Sequence, residues 1–288
     1  MLSGYEQLNL VGYQPGMARR TDPNLNGWGM AHAPDGPFCV ANNSTGTATF
    51  YSADGKVLPL VITIPTAHGQ PLGPIGSPTG VVYNPTSDFV ISENGRSAPA
   101  RFIFDTFDGL ICGWNPAVDP THAIIMVDNS QEGPAPLVPA FYTGLELAKN
   151  SDGQNVLYAV DDGTNNKIDM FDGDLHSLGS FTDPTINPQV ETVFQAEDIG
   201  GKLFVTITQL AAPFGGTVDI FDTDGHLLKQ GFISNAPNQG PLDGTGRWGS
   251  SSWTGTMFVR RMTRGARRGS SCPQRFGTHA PCVAGTRA

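Results

Sequence analysis

One pattern limits what this 288-residue chain can fold into: a unit of short strands and tight turns is written four times. Each copy opens on a small apolar strand, turns into a second, and closes on two strands joined by a Gly-containing turn. The strands of the first copy fall near 27–31, 38–41, 47–51 and 57–60, and those of the second near 79–83, 89–92, 101–104 and 110–114. The third holds 143–147, 156–160 and 167–171; the fourth holds 196–199, 202–206, 217–221 and 226–228. Second strands start near Phe38, Phe89, Val156 and Leu203, and third strands end at Phe50, Phe104, Phe171 and Phe221. A four-stranded antiparallel sheet with short turns needs about 40–50 residues, which is the period of a propeller blade. One small twisted sheet cannot bury both faces alone, whereas a ring of blades covers both. The spacing therefore predicts an all-β fold, a β-propeller of four-stranded antiparallel blades, with the four phenylalanines at equivalent places between blades. A two-sheet sandwich fits the same strand pattern. Asp-Gly pairs at 54–55, 108–109 and 224–225 supply the left-handed positions of tight hairpins.

Composition agrees. Charged residues make up 15% of the chain, against roughly 25% in an ordinary soluble domain. Gly (36) and Pro (23) are abundant without a collagen period, and 39% hydrophobic residues suffice for a core. No apolar window reaches the roughly 18 residues of a membrane span, so no membrane partner is expected. The charge is uneven. Residues 1–241 carry 9 basic and 25 acidic side chains, a net of −16, while 242–288 carry 8 Arg against the single acid Asp243. An acidic body repels phosphate backbones, so no nucleic acid partner is expected either. Cys39 and Cys112 sit in apolar runs and read as buried small hydrophobes, with a disulfide between them as the alternative; no zinc-type spacing occurs. The first residues have neither a basic nor an apolar leader region, so no signal peptide is expected in this chain.

Several runs also carry a resemblance: Gln14-Pro15-Gly16, Thr21-Asp22-Pro23-Asn24-Leu25, Gly27-Trp28-Gly29, Gly113-Trp114-Asn115-Pro116, Phe181-Thr182-Asp183-Pro184, Ile199-Gly200-Gly201-Lys202-Leu203 and Val218-Asp219-Ile220-Phe221-Asp222. In order and nearly ungapped over about 9–242, the chain resembles an uncharacterised family of six-bladed, often exported microbial β-propeller proteins. The resemblance implies a six-bladed propeller, incomplete here, of extracellular or periplasmic origin in its full-length relatives. It implies no activity. It stops at Leu242, where family members continue with an apolar strand and further blades. The expected division is thus a propeller domain over 1–241 and a basic, low-complexity, disordered tail over 242–288. An interaction arm and translation of a shifted frame compete to explain that tail, and its Arg-, Gly- and Ser-rich composition favours the second.

Propellers hold ligands near the axis, at the mouths of inner strands. Positions following the second strand hold Asn42 and Asn43, Glu93 and Asn94, Asp161 and Asp162, and then Gln209. A second ring, at the starts of inner strands, reads Asn26, Thr79, Thr143 and Asp198. It is similar to the metal ring of calcium-dependent lactonase propellers, with Thr at two of the four positions. Oxygen donors from successive blades suit a hard cation such as Ca²⁺, and Asn26, Glu93, Asp162 and Asp198 are the expected ligands. The competing reading has these Asn and Asp residues satisfying their own backbone in turns. The Asp-rich turns at 172–174 and 222–225 read as hairpins, lacking the spacing of an EF-hand. No nucleophile elbow, zinc-hydrolase motif or phosphate-binding loop appears. Two functions follow: a binding or scaffold propeller taking a small molecule, carbohydrate or protein at its axial face, and a calcium-dependent hydrolase or lyase of the lactonase type.

Overall fold

The structure, a computed structural model, describes residues 5–67, 75–131, 139–162, 165–210, 215–234 and 256–262. β1 (Tyr5–Gly12) and β2 (Arg20–Thr21) precede the first blade, A, formed by β3 (Gly27–His32), β4 (Phe38–Asn42), β5 (Thr47–Tyr51) and β6 (Val57–Thr63). Blade B uses β7 (Pro78–Tyr83), then β10 (Phe102–Thr106), β11 (Leu110–Trp114) and β12 (Ile124–Asp128), with the hairpin β8 (Val90–Glu93) and β9 (Arg96–Pro99) between. Blade C is β13 (Tyr142–Lys149), β14 (Asn155–Asp161), β15 (Lys167–Phe171) and β16 (Ser177–Phe181). Blade D is β17 (Glu191–Asp198), β18 (Leu203–Gln209), β19 (Gly216–Phe221) and β20 (Leu227–Ser234). The last described strand is β21 (Thr256–Met262). Within each blade successive strands pair antiparallel, and no α-helix occurs among the described residues. This is an all-β propeller architecture, with its ring open.

The blades bury one another. Cys39, Phe50 and Ile62 of blade A meet Phe102, Phe104 and Trp114 of blade B. Ile103 and Ile111 of B meet Leu145, Leu157 and Phe171 of C, and Tyr158 and Val160 of C meet Val193, Val205 and Phe221 of D. Blade A turns its remaining face to Leu10 and Val11 of β1. Burial of these faces removes apolar area from water at about 25 cal/mol per Å², which is why the unit recurs. Gly55, Gly109 and Gly225 of the Asp-Gly turns adopt φ of 82°, 81° and 86°.

Two features differ from the sequence expectation. Second strands begin at Phe38, Phe102, Asn155 and Leu203, so Phe89 does not open one. Phe89 is a buried residue with φ of 58°, at the entrance to the β8–β9 hairpin. That hairpin has the alternation and turn of a blade strand pair, and it displaces blade B by one strand. Phe104 consequently lies on a second strand. Across the pairings Phe38↔Tyr51, Leu157↔Phe171 and Leu203↔Phe221, the counterpart of Phe171 and Phe221 in blade A is Tyr51, one residue beyond Phe50. All four phenylalanines are buried between blades, but not at equivalent positions.

The second difference lies at the end. Residues 256–262, within the segment expected to lack structure, form β21, which pairs antiparallel with β1 from Tyr5↔Met262 to Gly12↔Thr256. The backbone edge of β1 offers donors and acceptors to any strand that reaches it, whatever the charge of that strand. The rest of 242–288 lies outside the described residues.

Inner strands β3, β7, β13 and β17 run side by side, and their approach depends on missing side chains. A Cβ at Gly29 would lie 2.5 Å from the Thr79 carbonyl oxygen, and one at Gly80 would lie 2.6 Å from the Leu145 nitrogen and 2.8 Å from Asp105 Oδ1. Gly80→Ala is therefore expected to destabilise by about 1–3 kcal/mol in urea titration. A variant as stable as its parent would show that these strands do not touch.

Candidate functional site: the axial mouth

The end at which the inner strands begin is built of aromatic rings above buried polar groups. Trp28 of blade A reaches over this end, donating from Nε1 to the Thr143 carbonyl of blade C at 2.9 Å. Its ring lies edge-on to Phe107, 4.7 Å between centroids, and 5.8 Å from Phe194 of blade D. Phe107 in turn stacks on Phe141 at 4.3 Å. One ring thus touches blades A, B, C and D, which defines the axis. Trp28, Phe107 and Phe141 remain half-buried, so this floor is partly open to solvent.

Polar groups beneath it tie strand to strand. Thr79 Oγ1 donates within 2.9 Å of the Tyr142 carbonyl, and Thr143 Oγ1 donates to the Phe194 carbonyl at 2.8 Å. Asn42 and Asp161 close their second strands and do the same work: Oδ1 of each accepts the amide that precedes its own inner strand, from Asn26 at 2.9 Å and Phe141 at 2.8 Å. In blade B, Asp105 accepts from Thr79 Oγ1 at 2.8 Å and from the Gly80 amide. Asp105 is fully buried, and among the described residues its Oδ2 has no hydrogen-bond donor. Burial pushes its carboxyl up to about 7 despite the Thr79 and Gly80 donors. Burial likewise carries Asp161 up to about 7, against the Phe141 amide and Asn165. Both carboxyls at this mouth are thus raised well above the ordinary range by complete burial.

The four expected cation ligands are not brought together. Asn26, just before β3, and Asp162, just after β14, share the mouth, where Asn26 Oδ1 accepts the Ser44 amide at 2.9 Å and Asp162 accepts the Thr192 hydroxyl. Glu93 ends β8 in the inserted hairpin, exposed and beside the outermost strand β12. Asp198 ends β17 at the opposite end of the blade, where it accepts the Gly201 amide at 2.8 Å. Glu93 followed from the one-strand displacement of blade B. Asp198 followed from placing its inner strand at 196–199, whereas that strand begins at Glu191.

Elsewhere, Asp222, Asp224 and His226 place their ligating atoms within 4.8 Å of one another in the β19–β20 turn. This surface cluster can coordinate a divalent ion such as Ca²⁺. The turn itself explains the arrangement, as expected: Asp222 Oδ1 accepts the Asp224 and His226 amides at 3.0 and 2.8 Å, and His226 Nδ1 lies 3.0 Å from Oδ2. Burial raises Asp222, but these hydrogen bonds outweigh it and hold the carboxyl below its usual range. Asp172 and His176 repeat the pattern in blade C. Cys39 and Cys112 are free, buried thiols, held well above the usual range by burial. The aromatic floor was not anticipated: its rings come from the inner strands of blades A and D and from connections of blades B and C.

No family model matches the chain. Among curated proteins it is similar to uncharacterized proteins of Acanthamoeba polyphaga mimivirus, one 26% identical over 231 residues (74% of this chain, 57% of the relative) and another 28% identical over 238 residues (77% and 55%). The chain spans about half the length of these relatives. Among solved structures it is similar to virginiamycin B lyase from Staphylococcus aureus at 14% identity and a TM-score of 0.39, over 77% of this chain and 74% of that one. A putative 6-phosphogluconolactonase from Bacteroides uniformis gives 14% and 0.40, over 68% and 53%. No helix among the described residues is long and apolar enough to cross a membrane.

Proposed function

We propose that this chain is a propeller of the enzyme kind, which holds a small organic substrate on the aromatic floor of its axial mouth and promotes cation-assisted hydrolysis or elimination. The observation that carries this reading is the pairing of half-open rings, Trp28, Phe107 and Phe141, with carboxyl groups beneath them, Asp105 and Asp161, whose protons leave near pH 7. Rings of this kind take the flat apolar face of a ligand. Asp161, adjoining Phe141, is the acid–base group. Asn26 and Asp162 are the mouth oxygens offered to a divalent cation such as Ca²⁺, which takes oxygen ligands, and the Asp222/Asp224/His226 cluster supports cation binding separately. An extracytoplasmic setting belongs to the same proposal and rests on the sequence resemblance.

A second reading, a binding or scaffold propeller without turnover, draws on a specific observation: the mouth carboxylates already accept backbone amides or hydroxyls. One experiment separates the two. Lactone substrates are presented with Ca²⁺ or with EGTA, while the part of the tryptophan fluorescence change that Trp28→Phe removes reports occupancy, since the chain has four tryptophans. Calcium-dependent turnover that falls at least tenfold in Asp161→Asn supports the enzyme. Quenching without turnover supports the binding module. Neither signal would remove both.

A further inference from the structure

The connection between blades C and D, residues 182–190, runs over the surface with a single buried residue, Asp183, 3% exposed. One Asp183 oxygen accepts the Thr185 amide and hydroxyl, both at 2.8 Å. The carboxyl also meets that of Asp219 on β19, and the two are hydrogen-bonded to each other. Asp219 is fully buried, and its Oδ1 accepts the Gly231 amide at 2.7 Å. Two carboxylates cannot share a hydrogen bond, because neither has a proton to donate, so this pair holds one. The entrance to blade A shows the same corner built differently. Asp22, also followed by proline and also 3% exposed, accepts the Asn24 amide at 2.9 Å and the Tyr51 hydroxyl at 2.8 Å, which is joined in turn to Thr49. Thr49 pairs with Val40 as Asp219 pairs with Val205, two residues before Tyr51 and Phe221. Blade A thus anchors its corner on hydroxyls, which donate at any ordinary pH. Blade D anchors its corner on a carboxyl, which donates only while protonated.

We propose that the proton shared by Asp183 and Asp219 latches the C–D connection onto blade D, and that its loss as pH rises releases residues 183–190. The groups facing the pair make the release one-sided. Glu191 of β17 adds a third acid, β20 supplies Gln230 and Gly231, and no basic side chain lines the cavity of about 410 Å³ beside them. Lys229 of β20 lies over the Phe232 ring. Burial and the Asp183 carboxyl carry Asp219 up to about 6, with Glu191 adding to the rise and the Gly231 amide opposing it. Burial also raises Asp183, but its hydrogen bonds to Asp219, Thr185 and Gln230 outweigh it and hold it below its usual range. The folded pair therefore keeps its proton above the unfolded value near 4 and gives it to water as pH passes about 6. Two carboxylates then face each other in a site without a counter-charge. The relief is for the exposed connection to lift, which returns Asp183 to water. Against this lift stand the hydrogen bond from Gln230 to Thr185 and the packing of Ile186. The latch is separate from the axial mouth, and it stands whether or not the mouth binds substrate.

The test is amide hydrogen exchange of the full chain at pH 5 and pH 8, corrected for the chemical exchange rate at each pH and read over 185–190 and at Gly231. Protection there should fall by at least about tenfold between the two. Asp219→Asn puts a permanent donor opposite the Asp183 carboxylate, so its protection at pH 8 should stay within about threefold of that at pH 5. Asp183→Asn provides the same comparison if Asp219→Asn does not fold. A carboxyl with a purely structural role would leave parent and variant with the same pH slope. Protection in the parent that holds from pH 5 to pH 8 would overturn the proposal, and so would a fall that survives the asparagine substitution. Lactone turnover and ligand-induced fluorescence are read at the mouth, so failure here leaves that reading untouched.

Discussion

Truncating Phe104 to alanine should lower the unfolding free energy by about 3–5 kcal/mol. Its ring is completely buried where blades A and B meet, in the cluster with Phe50, Phe102 and Trp114, whose rings lie 5.7–6.4 Å apart. Phe104 pairs with Val81 on one side and Cys112 on the other, so strands on both sides hold the vacated space open. Little collapse is available, and the cost should fall in the upper part of that range. Leu228, on the outer strand of blade D and 51% exposed, provides the control. Its truncation should change stability by no more than roughly 0.5 kcal/mol. Urea titration of the two variants checks both values, and equal losses would mean that the A–B interface is not the packed layer described above.

The second large effect is a dependence on pH. Asp105 is an ordinary carboxylic acid in the unfolded chain, whereas burial carries it to about 7 in the fold. The folded state therefore binds the proton more tightly. This stabilisation is fully present below the unfolded value near 4 and is lost as pH rises through 7. Between pH 5 and pH 8 the fold should lose on the order of 2–3 kcal/mol from this group. Asp105→Asn keeps an acceptor for Thr79 and Gly80 while removing the charge. It should melt higher than the parent at pH 8, match it only below about pH 4, and show a flatter profile between. A parent whose stability climbs from pH 5 to pH 8, or a variant with an unaltered slope, would contradict the burial of an unneutralised carboxylate at this position.

The strand repeat was legible because its cause is local: alternating side chains and Asp-Gly turns write themselves into neighbouring residues. Three of the four blades follow from that reading within a few residues. Blade B does not, since 89–99 has the same local signature as a blade strand pair but folds outward as a hairpin. Only the tertiary contest for the place beside β7, won by Phe102–Thr106 with its fully buried face, decides between them. That displacement also replaced Asp105 with Glu93 among the expected site residues. Asn42 and Asp161 were recognised as strand-mouth groups, but each accepts the amide leading into its own inner strand, 16 and 20 residues away, and not one in its own turn. The aromatic floor gathers Trp28, Phe107, Phe141 and Phe194 from four blades and their connections, a proximity that no local pattern encodes.

The pairing of β1 with β21 has a consequence for the time course of synthesis. At about 5–20 residues per second, a ribosome takes roughly 12–50 s to travel from Gly12 to Thr256. Blades A to D can each close from consecutive chain during that interval, but the N-terminal strand has no antiparallel partner until the far end emerges. A nascent chain thus carries an open strand edge throughout that interval, a template that any extended segment nearby can occupy. Closure then joins the two ends of one long loop, and lengthening that loop further adds little: each doubling costs only about 0.6 kcal/mol. Waiting, more than entropy, is the hazard. The vulnerable species is a finished set of blades with an unclasped first strand, and a chaperone that masks backbone edges would act on it before any that shields greasy surface.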